Sequence, residues 1–377
     1  MNPENIVIVG AGPAGLMAGC LLQRLGHTTT ILEQKASISE EIRGLILHAS
    51  SLSLLADLQL LDEILSAGRQ LNVLRFYIHH GHEFSFHFEQ LNTDHPYYVI
   101  IPQPMLEHQL TNTYLSLGGT LCYEHQLTHL HQKTDRVSVT YQTANGQSET
   151  LIASYVLGCD GAKSTSRQLL HGTFTAIKPI THYVLTEGNL NTSLPTTEAS
   201  MYVTKEGALS VLPLPDGRFR VAGPDLSNDK KQSAEERFAT TLQTMQLKKH
   251  LTFTKISRIA DYTVHHRIVD QMDFGRIALA GDAACIHSPA GGMAINRGFQ
   301  DVLCLTKHLD HLLQKEVEAA RPLHAYTEER LPKNKKIMNM TNFTPILEAM
   351  RQAKTRSQVD AVHHYGQQLV EKLALMQ

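Results

Sequence analysis

The spacing of hydrophobic and polar positions changes several times along the chain, and each change marks an element. Residues 6–9 (IVIV) are continuously apolar, as a strand covered on both faces requires. Glycines follow from Gly10 to Gly15, then an apolar helical stretch through Leu25 and a second β-rich run over 28–32, which together predict a strand-helix-strand start. Residues 50–66 (SSLSLLADLQLLDEILS) set leucines and isoleucine at helical spacing behind a serine cap, whereas 71–101 alternates in strand fashion. The pattern predicts a helix over 102–116 and strands over 120–142 and 149–157, parted by the turn Ala144-Asn145-Gly146. From about 178 to 264 strands are expected again, including two short ones around Pro215-Asp216-Gly217. RIALAGD (276–282) reads as a buried strand, 297–313 as an apolar helix, and the chain from about 314 as charged helix.

Strand-helix segments at both ends with sheet between them predict an α/β chain of two interleaved domains. Its 377 residues suffice for two or three structural units. With 34 Lys and Arg against 36 Asp and Glu, no basic surplus exists to hold a phosphate backbone or an anionic lipid surface, so neither is an expected partner. The five cysteines lack CxxC spacing, which argues against a disulfide framework and for a reducing, cytoplasmic location. Residues 6–22 follow Glu4 and are broken by glycines, so neither a signal peptide nor a membrane span is expected there. His79, His80, His82 and His87 are the densest histidine group, but no carboxylate partners are visible, and no metal site is expected.

Three segments carry candidate chemistry. Gly10-Ala11-Gly12-Pro13-Ala14-Gly15 is a GxGxxG in the strand-to-helix context that lets a diphosphate meet helix N-terminal amides, and Glu33 ends the next strand where a carboxylate reaches a ribose. This predicts dinucleotide binding through Gly10, Gly12, Ala14, Gly15 and Glu33 without choosing FAD over NAD. In LGCDGAKSTSR (157–167), Asp160-Gly161 follows a β-run; alone it is an ordinary turn with a capping serine. In RIALAGDAACIHSPAGGMAINRGFQD (276–301), Asp282 ends a buried strand and Gly291-Gly292 precedes a helix, so that an acid can hold a ribityl hydroxyl and glycines can admit a flavin ring.

These three segments, in this order, resemble the fingerprints of the single-component, class A flavoprotein monooxygenases, the aromatic hydroxylases of the p-hydroxybenzoate hydroxylase type. The resemblance runs to about residue 310, and YTEERLP (326–332) is similar to the family's following segment. It implies a Rossmann-like FAD-binding domain (1–70, 98–177 and 265–330) interleaved with a β-sheet substrate domain (71–97 and 178–264), then a helical segment (331–377). It further implies FAD ligands at Glu33, Arg43, Gln103, Asp160 and Asp282 and around Gly291, Gly292, Met293 and Ala294. NAD(P)H is the implied reductant and O2 the co-substrate, with a flavin hydroperoxide as oxidant of a phenolic, polyketide-like or other cyclic small molecule.

By the same analogy, the substrate is expected near Tyr202, Pro213 and Pro289, and the candidate acid-base groups are His266, His287 and Tyr202. Departures from the family pattern are Lys163 for an arginine, Cys285 for a histidine, and Met293-Ala294 where a Gln-Gly pair is usual. The absence of tryptophan excludes the WxWxIP motif of flavin halogenases. Tetracycline inactivation is one option within this reading, and a non-catalytic or redox-sensing FAD-binding protein is the alternative from another class.

Overall fold

The computed structural model describes residues 5–38, 46–78, 82–177, 180–227, 229, 231–287, 290–315 and 323–340, with scattered helical positions between 349 and 371. Its helices are α1 (Pro13–Arg24), α2 (Ala49–Asp57), α3 (Leu61–Ala67), α4 (Gln103–Ser116), α5 (Thr165–Leu169), α6 (Ala234–Thr244), α7 (Met293–Lys315) and α8 (His324–Met340). The chain divides into two discontinuous compact units: Met1–Leu45, Pro102–Lys178 and His266–Asn339, and Ile46–Ile101, Pro179–His265 and Met340–Gln377. Residues 46–70, which the family resemblance groups with the cofactor-binding part, fold with the second unit. There Ile46–Leu47 and Arg69–Leu71 flank Tyr98–Ile100 in a small antiparallel sheet.

The first unit is built on a six-stranded sheet in the order 273–274, 277–279, 155–158, 5–9, 28–32, 120–122, parallel except for its first edge strand. The strand Asn5–Val9 lies between Thr28–Leu32 and Tyr155–Gly158, with Ile6, Val7 and Ile8 fully buried, which explains its unbroken apolar run. On α1, a Cβ at Gly19 would come within 2.7 Å of the Tyr114 ring, so glycine is what allows α1 to approach α4. The Tyr114 hydroxyl donates to the Thr29 carbonyl at 2.9 Å and ties that helix to the sheet.

The second unit is a seven-stranded sheet in the order 252–264, 181–191, 219–224, 208–213, 198–203, 73–78, 82–87, antiparallel except between 73–78 and 198–203. One face packs Val184, Leu209, Val211, Phe219 and Val221 against Phe238 and Leu242 of α6. The alternation along each strand turns Leu185, Glu187, Met201, Arg220 and Phe76 to the other face.

The expected helix over 50–66 is two helices. Gln59 adopts φ 59°, and the Leu60 amide donates to the Leu55 carbonyl at 2.8 Å, a left-handed closure that ends α2 without glycine. α6 lies within a stretch expected to be strand and is started by a capping box between Ser233 and Glu236. Among the described residues no helix is long and apolar enough to cross a membrane.

Candidate functional site

The strand that ends at Val9 turns into α1 through Gly10, held at φ 101° with its amide donating to the Leu32 carbonyl at 2.7 Å. A side chain at Gly10 would strike the Cys159 carbonyl at 2.6 Å and the Asp160 Cα at 2.9 Å, so the first and second motifs are in backbone contact. A Cβ at Gly15 would reach the Gly10 carbonyl oxygen at 1.9 Å, whereas one at Gly12 would meet nothing among the described residues within 4 Å. α1 begins with no side-chain cap and no acidic residue in its first turn. Its N-terminal amides therefore face open space at Gly12 with the positive end of the helix dipole behind them.

The third motif closes on the same turn. Ala14 lies 3.1 Å from the Cβ position of Gly281 and 3.5 Å from that of Gly298, so small residues let α1 sit against α7 and the turn Gly281–Ala283. Gly291 and Gly292 take φ 78° and 66° immediately before α7, a conformation disfavoured for other residues. Met293 is buried, Ala294 is half-buried, and the Asn296 side chain donates to the Gly292 carbonyl at 2.6 Å, fixing the start of the helix.

The acidic candidates differ in what already holds them. Glu33 accepts from the Ala11 amide at 2.8 Å and from the Lys35 amide at 2.9 Å, so its carboxylate is tied to the glycine turn. Asp160 accepts from the Ser164 hydroxyl at 2.5 Å and the Ser166 amide at 2.8 Å, closing the start of α5. Asp282 keeps a side chain 43% exposed beside Arg297 at 3.1 Å. Gln103, at the start of α4, donates to Glu107 at 2.7 Å. Arg43 and Pro289 lie outside the described residues.

The second motif is welded to the third by Arg167, which is buried, donates to the Ala283 carbonyl at 2.8 Å and the Ala162 carbonyl at 2.9 Å, and stacks over Phe174. Lys163 is exposed, so of the two cations in that loop it alone presents its charge to solvent. Cys285 is fully buried, and burial pushes its thiol up to about 11, while its carbonyl accepts from Arg297 at 2.6 Å. The departure from histidine thus puts a neutral thiol into packing.

His266 and His287 are both buried. His266 and His287 each adjoin one of two paired strands, Arg267–Ile268 and Cys285–Ile286, in which Arg267 pairs with Ile286 and Ile268 with Cys285. Tyr202 pairs with Leu209 and Pro213 with Phe219, on the face that α6 packs, and Tyr202 stacks on Tyr77 at 4.8 Å. Burial, and then the neighbouring Tyr77, pushes the Tyr202 phenol up to about 12, far from the range of an acid-base group at neutral pH.

Arg297 was not among the residues predicted from the sequence. Fully buried in α7, it donates to the Gly281 carbonyl at 3.2 Å, Asp301 at 3.0 Å, Asp282 at 3.1 Å and the Cys285 carbonyl. Asp301 also accepts from Arg330 at 2.9 Å and Asn334 at 3.1 Å, so α8 is tied into the same network. A charged residue in an apolar helical stretch reads as solvent-facing; only the adjacent Asp301, one turn on, signals a buried pair.

The model of a family described as FAD binding domain matches residues 4–341. A rifampicin monooxygenase of Streptomyces venezuelae is 32% identical over 352 residues, covering 89% of this chain and 70% of its own length. A Streptomyces rimosus 12-dehydrotetracycline 5-monooxygenase/anhydrotetracycline 6-monooxygenase is 30% identical over 347 residues, covering 87% of this chain and 66% of its own length. The chain therefore spans about two thirds of the length of such relatives. The crystal structure of p-nitrophenol 4-monooxygenase PnpA from Pseudomonas putida superposes with a TM-score of 0.80 at 21% identity, covering 99% of this chain and 96% of that one, a likeness of fold.

Proposed function

Because this chain belongs to the FAD binding domain family, we propose that it is an FAD-dependent monooxygenase that uses NAD(P)H and O2 to hydroxylate a cyclic aromatic or polyketide-like small molecule. The observation that carries this reading is the convergence of three motifs on the uncapped start of α1, with the backbone of Gly10 against Cys159 and Asp160 and Ala14 against Gly281 and Gly298. The residues present fit the cofactor. Open space before Gly12 and uncapped amides suit a diphosphate, and the half-exposed Asp282 and paired left-handed glycines suit the flavin end.

Bound FAD would supply the electron and oxygen transfer that side chains lack. The chain's own part is to hold and bias it. The amides of Gly12, Ala14 and Gly15 would hold the diphosphate, Glu33 the ribose and Asp282 a ribityl hydroxyl. The backbone from Gly291 to Ala294 would lie against the ring, where the N-terminus of α7 favours negative charge. Glu33 and Asp160 brace the turns that present these groups, and Arg297 holds Asp282 in place. His266 and His287, which flank the paired strands ahead of the glycine pair, are the residues assigned to proton handling. On the second unit, the sheet face of Phe76, Met201 and Leu185 is the one assigned to the substrate, since the opposite face is packed by α6.

The names of the rifampicin and tetracycline monooxygenases support a fused-ring or polyketide substrate. The test is NAD(P)H oxidation by the FAD-loaded protein with and without a panel of such compounds. Stimulation by at least one of them, with a hydroxylated product, is expected. A colourless protein that takes up no FAD would overturn the reading.

A further inference from the structure

The last two helices of the first unit gather a thiol, an imidazole and a carboxylate. Cys304 and His308 stand one turn apart on α7 and so share a face, about 16 and 22 Å along the helix from Met293; Glu329 comes from α8. One ligand atom from each, the sulfur, an imidazole nitrogen and a carboxylate oxygen, all lie within 4.8 Å of one another. His308 Nε2 is 3.4 Å from one Glu329 oxygen, and the other accepts from Lys333 at 3.0 Å.

We propose that Cys304, His308 and Glu329 form a binding site for a thiophilic divalent cation of the zinc type, with water as fourth ligand. Bond lengths of about 2.0 Å to nitrogen or oxygen and about 2.3 Å to sulfur give a tetrahedral site edges of about 3.3–3.5 Å. The imidazole and carboxylate already stand at such a distance. Cys304 is 8% exposed, while the side chains of His308 and Glu329 are 32% and 46% exposed, so the site has a packed floor and an open mouth for a hydrated ion. On binding, the thiol proton leaves to solvent and the cation meets one thiolate, one carboxylate and a neutral imidazole, with no change of oxidation state. Lys333 stays on the second carboxylate oxygen as an outer partner that orients it. A sulfur donor selects against magnesium and calcium, which prefer oxygen ligands alone. Because two donors belong to α7 and one to α8, the ion would clamp these helices together.

The test uses the 377-residue chain with its FAD, freed of metal by chelation and dialysis, and cobalt(II) as probe. One cobalt per chain is expected, with a thiolate-to-cobalt band in the difference spectrum and the visible bands of four-coordinate cobalt beyond the flavin's absorption. Zinc should displace it and magnesium should not. Cys304→Ser should abolish the thiolate band, and His308→Gln, at a partly exposed position, should weaken zinc binding about 100-fold. A wild-type protein without the thiolate band, displacement by magnesium, or a His308→Gln protein with undiminished affinity would overturn the proposal.

Discussion

Arg297→Met removes the one side chain that bridges the turn at Gly281, the acid at Asp282 and the buried Asp301. Methionine keeps the apolar stem but makes none of the four hydrogen bonds. Breaking a buried ion pair by deleting one partner costs about 3–5 kcal/mol. Asp301 retains Arg330 and Asn334, which places the loss near the low end, about 3 kcal/mol. For a unit of about 200 residues this lowers Tm by about 6–12 °C. Scanning calorimetry of the FAD-free protein reads that loss, and flavin fluorescence then reads FAD affinity, which should fall because Asp282 is no longer held. Arg297→Lys should be intermediate, since an ammonium cannot span the same acceptors. A variant that melts within about 1 °C of the parent would refute the bridging role, because a buried fork with these partners cannot be removed at so small a cost.

Gly12→Ala and Gly15→Ala separate cofactor space from folding space. The first should leave the melting temperature of FAD-free protein unchanged while weakening FAD, and the second should cost about 1–3 kcal/mol of stability even without FAD; equal melting temperatures would contradict this. Lys163→Glu should raise the NAD(P)H concentration needed for half-maximal reduction while FAD stays bound, and unchanged reduction kinetics would place the nicotinamide elsewhere. The phenols of Tyr114 and Tyr202 are pushed up to about 12 by burial, above the ordinary value near 10. Their neutral forms are favoured by folding, so this contribution is complete below pH 10 and is lost as pH rises toward 12; denaturant midpoints that hold steady across that window would contradict it.

What the sequence reveals here follows from how locally each feature is determined. The start of the first unit is legible because a strand buried on both faces must be apolar throughout and its tight turn must carry glycine. α6 is hidden because its threonine-rich run 239–244 reads as strand, and its clear mark is Ser233 with Glu236. The break at Gln59 carries no glycine or proline, so the helical spacing of leucines runs straight across it. His266 and His287 adjoin two-residue strands that pair with each other, too short for any period to show. Tyr202 and Pro213 were assignable to a strand but not to a face, since one residue of register decides which side of the sheet a side chain takes. Arg297 has only Asp301, one turn on, to mark it, and His308 and Glu329 belong to a cluster drawn from two helices that no local pattern announces.

The most direct measurement is the fate of isotopically labelled O2. FAD-loaded protein is supplied with NAD(P)H and the compound that best stimulates its oxidation, under heavy-oxygen gas in ordinary water. The account predicts a product heavier by one labelled oxygen atom per molecule, formed in step with NAD(P)H consumption. A product whose new oxygen comes from water, or cofactor oxidation that yields only hydrogen peroxide with every compound tried, would contradict it.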